Sequence, residues 1–210
     1  MDCLNASKIM EKPGLKTAGR VRWGTDNGMD RTIVNPIFKD TATFLKSAAE
    51  TGGKYSECEV TLLPGGKNVP HIHQKYSEKF TALQGNLGVK AGGKTIILNP
   101  GETFTVPIGM VHCFFNPGPE TIRFNIVLSP GFAGFEYMLR ILYGMARDGQ
   151  TNKKGLPKSL ALTALIAEIG DTSLPGIFVL LAPLLKSLAA RARKRGEEQR
   201  LMNTYCKNVS

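Results

Sequence analysis

Residues 65–85 read GGKNVPHIHQKYSEKFTALQG, and this stretch holds two of the three histidines of the 210-residue chain. On a β-strand, residues i and i+2 point to the same face, so His71 and His73 are predicted to project into one space. Glu78 follows five residues after His73. Since five is an odd offset, we expect residues 74–77 to turn the chain, so that Glu78 faces back inward from the next strand. Two imidazoles and a carboxylate arranged in this way favour a transition-metal site.

The third histidine lies in a second stretch, residues 101–116, which reads GETFTVPIGMVHCFFN. A strand over its last residues places His112 and Phe114 on one face and Cys113 on the other. His112 must therefore reach the other two imidazoles from a distant part of the chain. A lone histidine in a small domain is more often a core or surface residue than a ligand, and the metal site competes with that simpler interpretation.

The sequence around these two stretches predicts a mainly β fold. From about residue 31 to 129, short β-branched and aromatic runs are separated by Gly, Pro and Asn turn signals, which is typical of an antiparallel sandwich or barrel. In residues 55–63 and 121–128, small or apolar side chains largely alternate with polar or charged ones, so each strand is expected to turn its apolar face toward the core.

The hydrophobic period changes to about 3.6 residues after residue 131, which predicts a C-terminal α-helical extension. We expect helices over 132–147 and 159–169, and a third helix that starts at Ser173 as its N-cap and is kinked by Pro183. The sequence therefore divides into three parts, which are an N-terminal arm (1–30), a β-barrel (31–130) and the helical extension with a basic tail (131–210).

Composition limits the class of protein and its compartment. With 42% hydrophobic and 21% charged residues, the chain can bury a core. Residues 186–200 carry +4 of the net charge of +10, and the rest is spread thinly over the chain, which argues against a nucleic-acid groove through the body. The four cysteines lie far apart, which favours a reducing compartment. The polar N-terminus does not resemble a signal peptide, and no 18-residue apolar stretch predicts a membrane-spanning helix. We therefore expect a cytoplasmic protein.

The extension is rich in leucine and ends in a basic cluster. The simpler interpretation is a helical layer that packs on the barrel or on a second subunit, and we expect a homodimer. The alternative is peripheral contact of residues 159–200 with an anionic membrane surface, with the basic residues at the lipid headgroups.

The two quoted stretches together resemble the two motifs of the cupin superfamily. Ten positions match at the family's spacing, which are Gly65, His71, His73, Glu78 and Gly85 in the first motif and Gly101, Pro107, Gly109, His112 and Asn116 in the second. The resemblance implies a double-stranded β-helix (jelly-roll) barrel with one metal ion in its mouth, held by His71, His73, Glu78 and His112. All three histidines thus fall on implied ligand positions, which favours the metal site over core or surface histidines.

Three imidazoles and one carboxylate suit one divalent transition metal ion with further coordination positions open. Fe²⁺ is our first expectation, and Mn²⁺, Ni²⁺, Co²⁺ or Zn²⁺ fit the same ligands. Glu78 is also the candidate catalytic residue, as a proton acceptor when it leaves the ion. The pocket is expected to be apolar, unless the same side chains only fill the barrel core. Its predicted lining is Val69, Phe80, Phe104, Val106, Phe114, Phe124 and Ile126.

The pattern resembles that of single-domain cupins of the quercetin-dioxygenase type. It implies a dioxygenase-type oxygenase acting on a small apolar or aromatic organic molecule. Two alternatives remain open at this point. One is a non-catalytic module that binds a metal or a ligand, and the other is a metal-assisted isomerase or cyclase.

Overall fold

The computed structural model of the chain describes residues 31–176 and 180–206, so the predicted arm, residues 1–30, lies outside the described residues. The strands within these ranges are β1 (Thr32–Asn35), β2 (Asp40–Lys46), β3 (Ser56–Leu62), β4 (Ile72–His73), β5 (Ser77–Gln84), β6 (Leu87–Ala91), β7 (Lys94–Leu98), β8 (Thr103–Val106), β9 (His112–Phe115), β10 (Ile122–Ser129) and β11 (Thr172–Ser173). The helices are α1 (Ala133–Arg147), α2 (Leu160–Ile169), α3 (Ala182–Lys194) and α4 (Glu197–Tyr205).

The strands form two main antiparallel sheets that share one core. One sheet has the order β1-β2-β3-β10-β5-β8 and the other has the order β7-β6-β9. Strand β10 lies between β3 and β5, so the chain crosses over as a jelly roll requires. Phe114 of β9 meets Phe124 of β10 with 5.0 Å between the ring centroids, so side chains of the two sheets interdigitate. The predicted mainly β jelly roll with a helical extension is confirmed.

Alternating burial along β3 and β10 shows why these segments are strands. In each strand the buried residues occupy every second position, from Ser56 to Leu62 and from Ile122 to Leu128. Successive side chains of a strand point to opposite faces, so one face enters the core and the other meets a more polar environment. Cys58 lies on the inner face and is only 1% exposed, as expected for a small apolar side chain.

Buried polar contacts join α1 to the six-stranded sheet. Glu136 accepts hydrogen bonds from the backbone N–H of Ala48 at 2.7 Å and from the hydroxyl of Ser56 at 2.6 Å. About two turns further along α1, the hydroxyl of Tyr143 donates to Asp40 at 2.7 Å. Buried polar groups such as these are costly to leave unpaired, so the contacts fix the position of α1 on the sheet.

The third predicted helix requires a correction. Thr172 and Ser173 form strand β11, which pairs with β4, and Ser173 is therefore not a helix N-cap. The helix that contains Pro183 begins at Ala182, so this proline occupies the first turn, where no intrahelical N–H bond is lost, and does not kink the helix. None of the helices in the described ranges combines the length and apolar character needed to cross a bilayer.

Candidate metal centre

Four buried side chains from separate parts of the barrel meet at one point. His71 and His112 face each other across an antiparallel bridge, in which each backbone N–H donates to the other residue's carbonyl at 3.0 Å. Directly opposed residues point to the same face, so their imidazole centroids lie 4.3 Å apart. His73 ends β4 and Glu78 lies in β5. One ligand atom from each of the four residues lies within 4.8 Å of the others.

Backbone carbonyls orient the three imidazoles. The Nδ1 atom of His71 lies 2.8 Å from the carbonyl oxygen of Val69, and that of His112 lies 3.0 Å from the carbonyl oxygen of Met110. The Nδ1 atom of His73 lies 3.0 Å from the carbonyl oxygen of Asp171. A carbonyl oxygen can only accept, so each Nδ1 must carry a proton. The lone pair of each neutral ring is then on Nε2, which is the arrangement that metal-binding histidines use.

The hydrogen bonding of the site fits a bound cation. The Nε2 atom of His73 is buried and has no hydrogen-bond partner among the described residues. The Nε2 atom of His112 lies 2.8 Å from Oε2 of Glu78. A buried nitrogen without a partner is costly, and a divalent cation between the rings and the carboxylate would satisfy it. The donor set of three nitrogens and one carboxylate therefore fits a transition metal ion.

The electrostatics of the site favour the protonation states that bind metals. Burial raises the pKa of Glu78, but the hydrogen bond from His112 and the neighbouring imidazoles outweigh it and lower this pKa to about 2. Burial and the adjacent His112 lower the pKa of His71 to about 3. Burial also lowers the pKa of His73. An ionised carboxylate and neutral imidazoles can ligate a metal without first losing a proton.

His112 has the opposite shift. Burial is the largest single cause and would lower its pKa, but the hydrogen bond to Glu78, the negative charge of that carboxylate and the backbone bond to Met110 together outweigh burial and raise this pKa. A proton on Nε2 of this ring thus occupies the line between His112 and Glu78 that a metal ion would take. Protons and metal ions are therefore expected to compete at this pair of residues.

A cavity of about 800 Å³ adjoins the centre, and its wall includes His71 and Glu78. Both the barrel and the helices supply its apolar surface. The barrel contributes Val69, Phe114 and Ile126, and the extension contributes Met138, Leu139, Leu142, Ala164 and Leu185. The volume suits an organic molecule of moderate size.

The structure places three of the seven predicted lining residues in the wall of this cavity. Val69, Phe114 and Ile126 are in the cavity wall, whereas Phe80, Phe104, Val106 and Phe124 are not. Phe80 and Phe124 are 0% exposed and contact Phe114 within the packed barrel core, so they fill space that was expected to hold a ligand. The helical part of the wall was not predicted, because amphipathic periodicity shows which helix face is buried but not what it covers.

Sequence reasoning also missed two polar residues beside the site. Tyr76 was expected only to help turn the chain, yet its hydroxyl lies 2.7 Å from Nδ1 of His73. Asp171 contacts the same ring nitrogen from 98 residues further along the chain. The position of Tyr76 between two ligands could have drawn attention to it. No signal in the sequence links Asp171 to His73.

Comparison with known proteins identifies part of the chain as a cupin domain. Residues 58–129 match the family model for the cupin domain, so this part of the chain is a cupin domain. The chain is 35% identical over 72 residues to germin-like protein 8-9 of Oryza sativa subsp. japonica, covering 31% of this chain and 32% of that protein. It is 27% identical over 125 residues to oxalate oxidase 1 of Hordeum vulgare, covering 56% and 61%.

One solved structure that the chain matches in part is described as a predicted oxalate decarboxylase from Thermotoga maritima. It has a TM-score of 0.42 and 22% sequence identity, and the match covers 43% of this chain and 80% of that one. The chain spans from about a third to three fifths of the length of the two curated relatives named above.

Proposed function

We propose that this cupin-domain chain is a metal-dependent oxygenase of the dioxygenase type, acting on a small apolar or aromatic organic molecule. The observation that carries the proposal is the cavity of about 800 Å³, whose wall includes two of the four candidate ligands together with apolar side chains of the barrel and helices. A molecule in this cavity would lie next to the ion. The similarity to an oxalate oxidase is consistent with redox chemistry at such a centre.

The residues of the chain would have distinct tasks in this reaction. His71, His73, Glu78 and His112 would hold one divalent ion, with Fe²⁺ as the first expectation. A metal with open positions supplies Lewis acidity and a place where oxygen and substrate meet. The apolar wall would orient the substrate and exclude water from it. Glu78 would be the proton acceptor when it leaves the ion.

The size of the cavity favours a larger substrate than oxalate. Pockets of roughly 300–1,000 Å³ hold drug-sized molecules, and oxalate would fill only a small part of this one. The wall includes the cationic side chains of Lys75, Lys186 and Arg193 as well as apolar ones. The barrel side chains Val69, Phe114 and Ile126 offer no hydrogen bond to a small dianion. An aromatic or aliphatic body would instead bury its surface against them.

The proposal is tested first by metal content and then by oxygen uptake. Protein purified without added metal should contain about one equivalent of a transition metal by mass spectrometry, and His112→Ala should lose it. Cys113→Ala, next to it on β9, is the matched control and should keep the metal. After anaerobic loading with Fe²⁺, the wild type should consume oxygen with at least one member of a panel of phenols, flavonols and diketones.

Each other result points to a different function. If the wild type binds no transition metal with better than millimolar affinity, the proposed metal centre is wrong. Oxygen traces that stay flat with Fe²⁺, Mn²⁺, Co²⁺, Ni²⁺ and Zn²⁺ would favour a binding module without turnover. Product formation without oxygen uptake would indicate an isomerase or cyclase.

A further inference from the structure

Residues that follow α2 fasten the strand that carries His73. Strand β11 pairs antiparallel with β4, with Thr172 opposite His73 and Ser173 opposite Ile72. These two strands form a sheet of their own. The helical extension thus reaches back to the barrel and supports a two-residue strand that ends in a candidate metal ligand.

Hydrogen bonds from this segment determine which nitrogen of His73 is free. Nδ1 lies 3.0 Å from the carbonyl oxygen of Asp171 and 2.7 Å from the hydroxyl of Tyr76. The same hydroxyl donates to the carbonyl oxygen of Gly170 at 2.9 Å, so its oxygen accepts from His73. The two nearest neighbours of Nδ1 are therefore acceptors, and the more distant Thr172 hydroxyl, at 3.3 Å, has Met138 and Gly170 as acceptors for its own proton. The proton of a neutral ring thus stays on Nδ1. Nε2 then keeps its lone pair toward the ion.

The side chain of Asp171 holds the loop that follows His73. Its Oδ2 accepts from the backbone N–H groups of Gln74 and Lys75, both at 2.7 Å. Asp171 also adopts a positive φ of 51°, a region that few residues other than glycine, asparagine and aspartate occupy. Asp171 thus contacts the His73 ring through its backbone carbonyl, and it contacts Gln74 and Lys75 through its carboxylate. An uncommon backbone conformation held by several contacts points to a specific role.

We infer that Asp171 is a positioning residue of the metal centre, through which the helical extension sets the ring orientation and the metal affinity of His73. The inference rests on the proposed metal site but not on oxygenase activity. It also means that the extension is part of the centre, because the barrel motifs supply the four ligands while residues 170–172 supply partners that orient one of them. Partners of this kind typically change metal affinity by about 10- to 100-fold when removed.

Three substitutions at one position separate the side chain from the backbone. Asp171→Gly keeps the positive φ accessible but removes the carboxylate. Asp171→Ala removes the carboxylate and disfavours the backbone conformation as well. Asp171→Asn keeps both the conformation and one oxygen that can accept from Gln74 and Lys75. Asp148→Gly, which removes an exposed carboxylate after α1, is the matched control.

The probe is Co²⁺, titrated calorimetrically into metal-free full-length protein, with the visible spectrum of bound Co²⁺ as a report on ligand geometry. We expect Asp171→Gly and Asp171→Ala to bind Co²⁺ about 10- to 100-fold more weakly, with an altered spectrum. Asp171→Asn and Asp148→Gly should stay near the wild type in both. If Asp171→Ala fails to fold, the glycine and asparagine variants decide the result. A folded Asp171→Gly protein with wild-type affinity and spectrum would overturn the inference.

A readout without metal separates this inference from the proposed function. In the metal-free protein, the ring ¹⁵N shifts of His73 should show the proton on Nδ1 in both the wild type and Asp171→Gly, because the variant keeps the backbone carbonyl of residue 171 and the Tyr76 hydroxyl. That Nδ1 proton should exchange with water faster in Asp171→Gly, because the loop after His73 has lost the carboxylate that holds it. If the wild type binds no Co²⁺, the proposed function fails, and this exchange rate still tests the positioning role. An unchanged exchange rate in Asp171→Gly would refute that role.

Discussion

At the scale of single residues, the buried carboxyl group of Asp40 should make the free energy of unfolding depend on pH. It is 3% exposed and lies in the cavity wall, and one of its oxygens accepts from Tyr143. Burial raises its pKa to about 7, although the hydrogen bond from Tyr143 opposes the shift. The folded chain therefore keeps the proton of Asp40 over a pH range in which the unfolded chain releases it.

The sign of the pH dependence follows from this difference. Since the pKa is raised in the folded state, the contribution of Asp40 to stability is complete below about pH 4 and is lost as the pH rises through 7, by an amount on the order of 4 kcal/mol. Asp40→Asn cannot titrate and resembles the protonated form. We expect it to gain stability relative to the wild type between pH 5 and pH 8, measured by urea unfolding.

Asp148→Asn, at an exposed position, is the control for this measurement. Its unfolding free energy should change with pH in the same direction as that of the wild type. Parallel curves of unfolding free energy against pH for the wild type and Asp40→Asn would show that Asp40 has an ordinary pKa in the folded protein.

The residue scale also shows how far the site could be predicted. The i, i+2 spacing of His71 and His73 and the odd offset to Glu78 predict converging side chains, because strand periodicity alone decides which face each residue takes. His112 was assigned to the site by its place in a motif. The contact of Asp171 with His73 could not be predicted, since it depends on where α2 ends in space rather than on any local period.

At the scale of elements, α1 and α2 approach each other so closely that only glycine fits between them. A methyl group at Gly134 would lie 2.1 Å from the carbonyl oxygen of Ile169, at the C-terminal end of α2. Backbone cannot move aside as a flexible side chain can, so Gly134→Ala must separate the helices. Overpacking of this kind typically costs about 1–3 kcal/mol.

We expect Gly134→Ala to lower the unfolding free energy by this amount in urea denaturation. Arg147→Ala, at the exposed end of the same helix, is the control and should change stability by less than about 0.5 kcal/mol. A stability of Gly134→Ala equal to that of the wild type would mean that the two helices are further apart than described.

Elements with a clear period could be predicted, and those defined by tertiary contacts could not. The apolar stripe of α1 and the alternation of β3 and β10 are local patterns, and the structure confirms them. The serine at position 173 was misread as a helix cap, because serine favours caps in isolation. Its strand pairing with Ile72 arises from contact between distant segments and has no local signature.

At the scale of the whole molecule, the barrel and the helical extension share one core. Residues from β2 and α1, including Phe44 and Met138, belong to the same buried cluster as Leu201 of α4. The extension nevertheless leaves apolar side chains uncovered. Leu180 is 77% exposed, and Leu181 and Leu184 are exposed beside it. The expected homodimer would be one way to cover them, and it stays a prediction.

Membrane contact is the other predicted use of this surface, and it can be tested directly. Lys194 and Arg195 are exposed at the far end of α3 and would favour anionic headgroups. We expect the wild type to float with vesicles of phosphatidylserine and phosphatidylcholine at low salt, and the double variant Leu180→Glu and Leu184→Glu to float less. Val34→Glu, which charges an exposed apolar residue of β1, should float like the wild type. Equal recovery of all three proteins would end the membrane hypothesis.

The divided origin of the cavity wall has a consequence for how such proteins diversify. The barrel carries the four candidate metal ligands, whereas α1, α2 and α3 supply much of the cavity wall. Changes at Leu139, Leu142 or Leu185 would therefore reshape the chamber while leaving the four candidate ligands unchanged. If the proposed function holds, selection could alter the preferred substrate through one part of the chain without changing the metal-binding residues of the other.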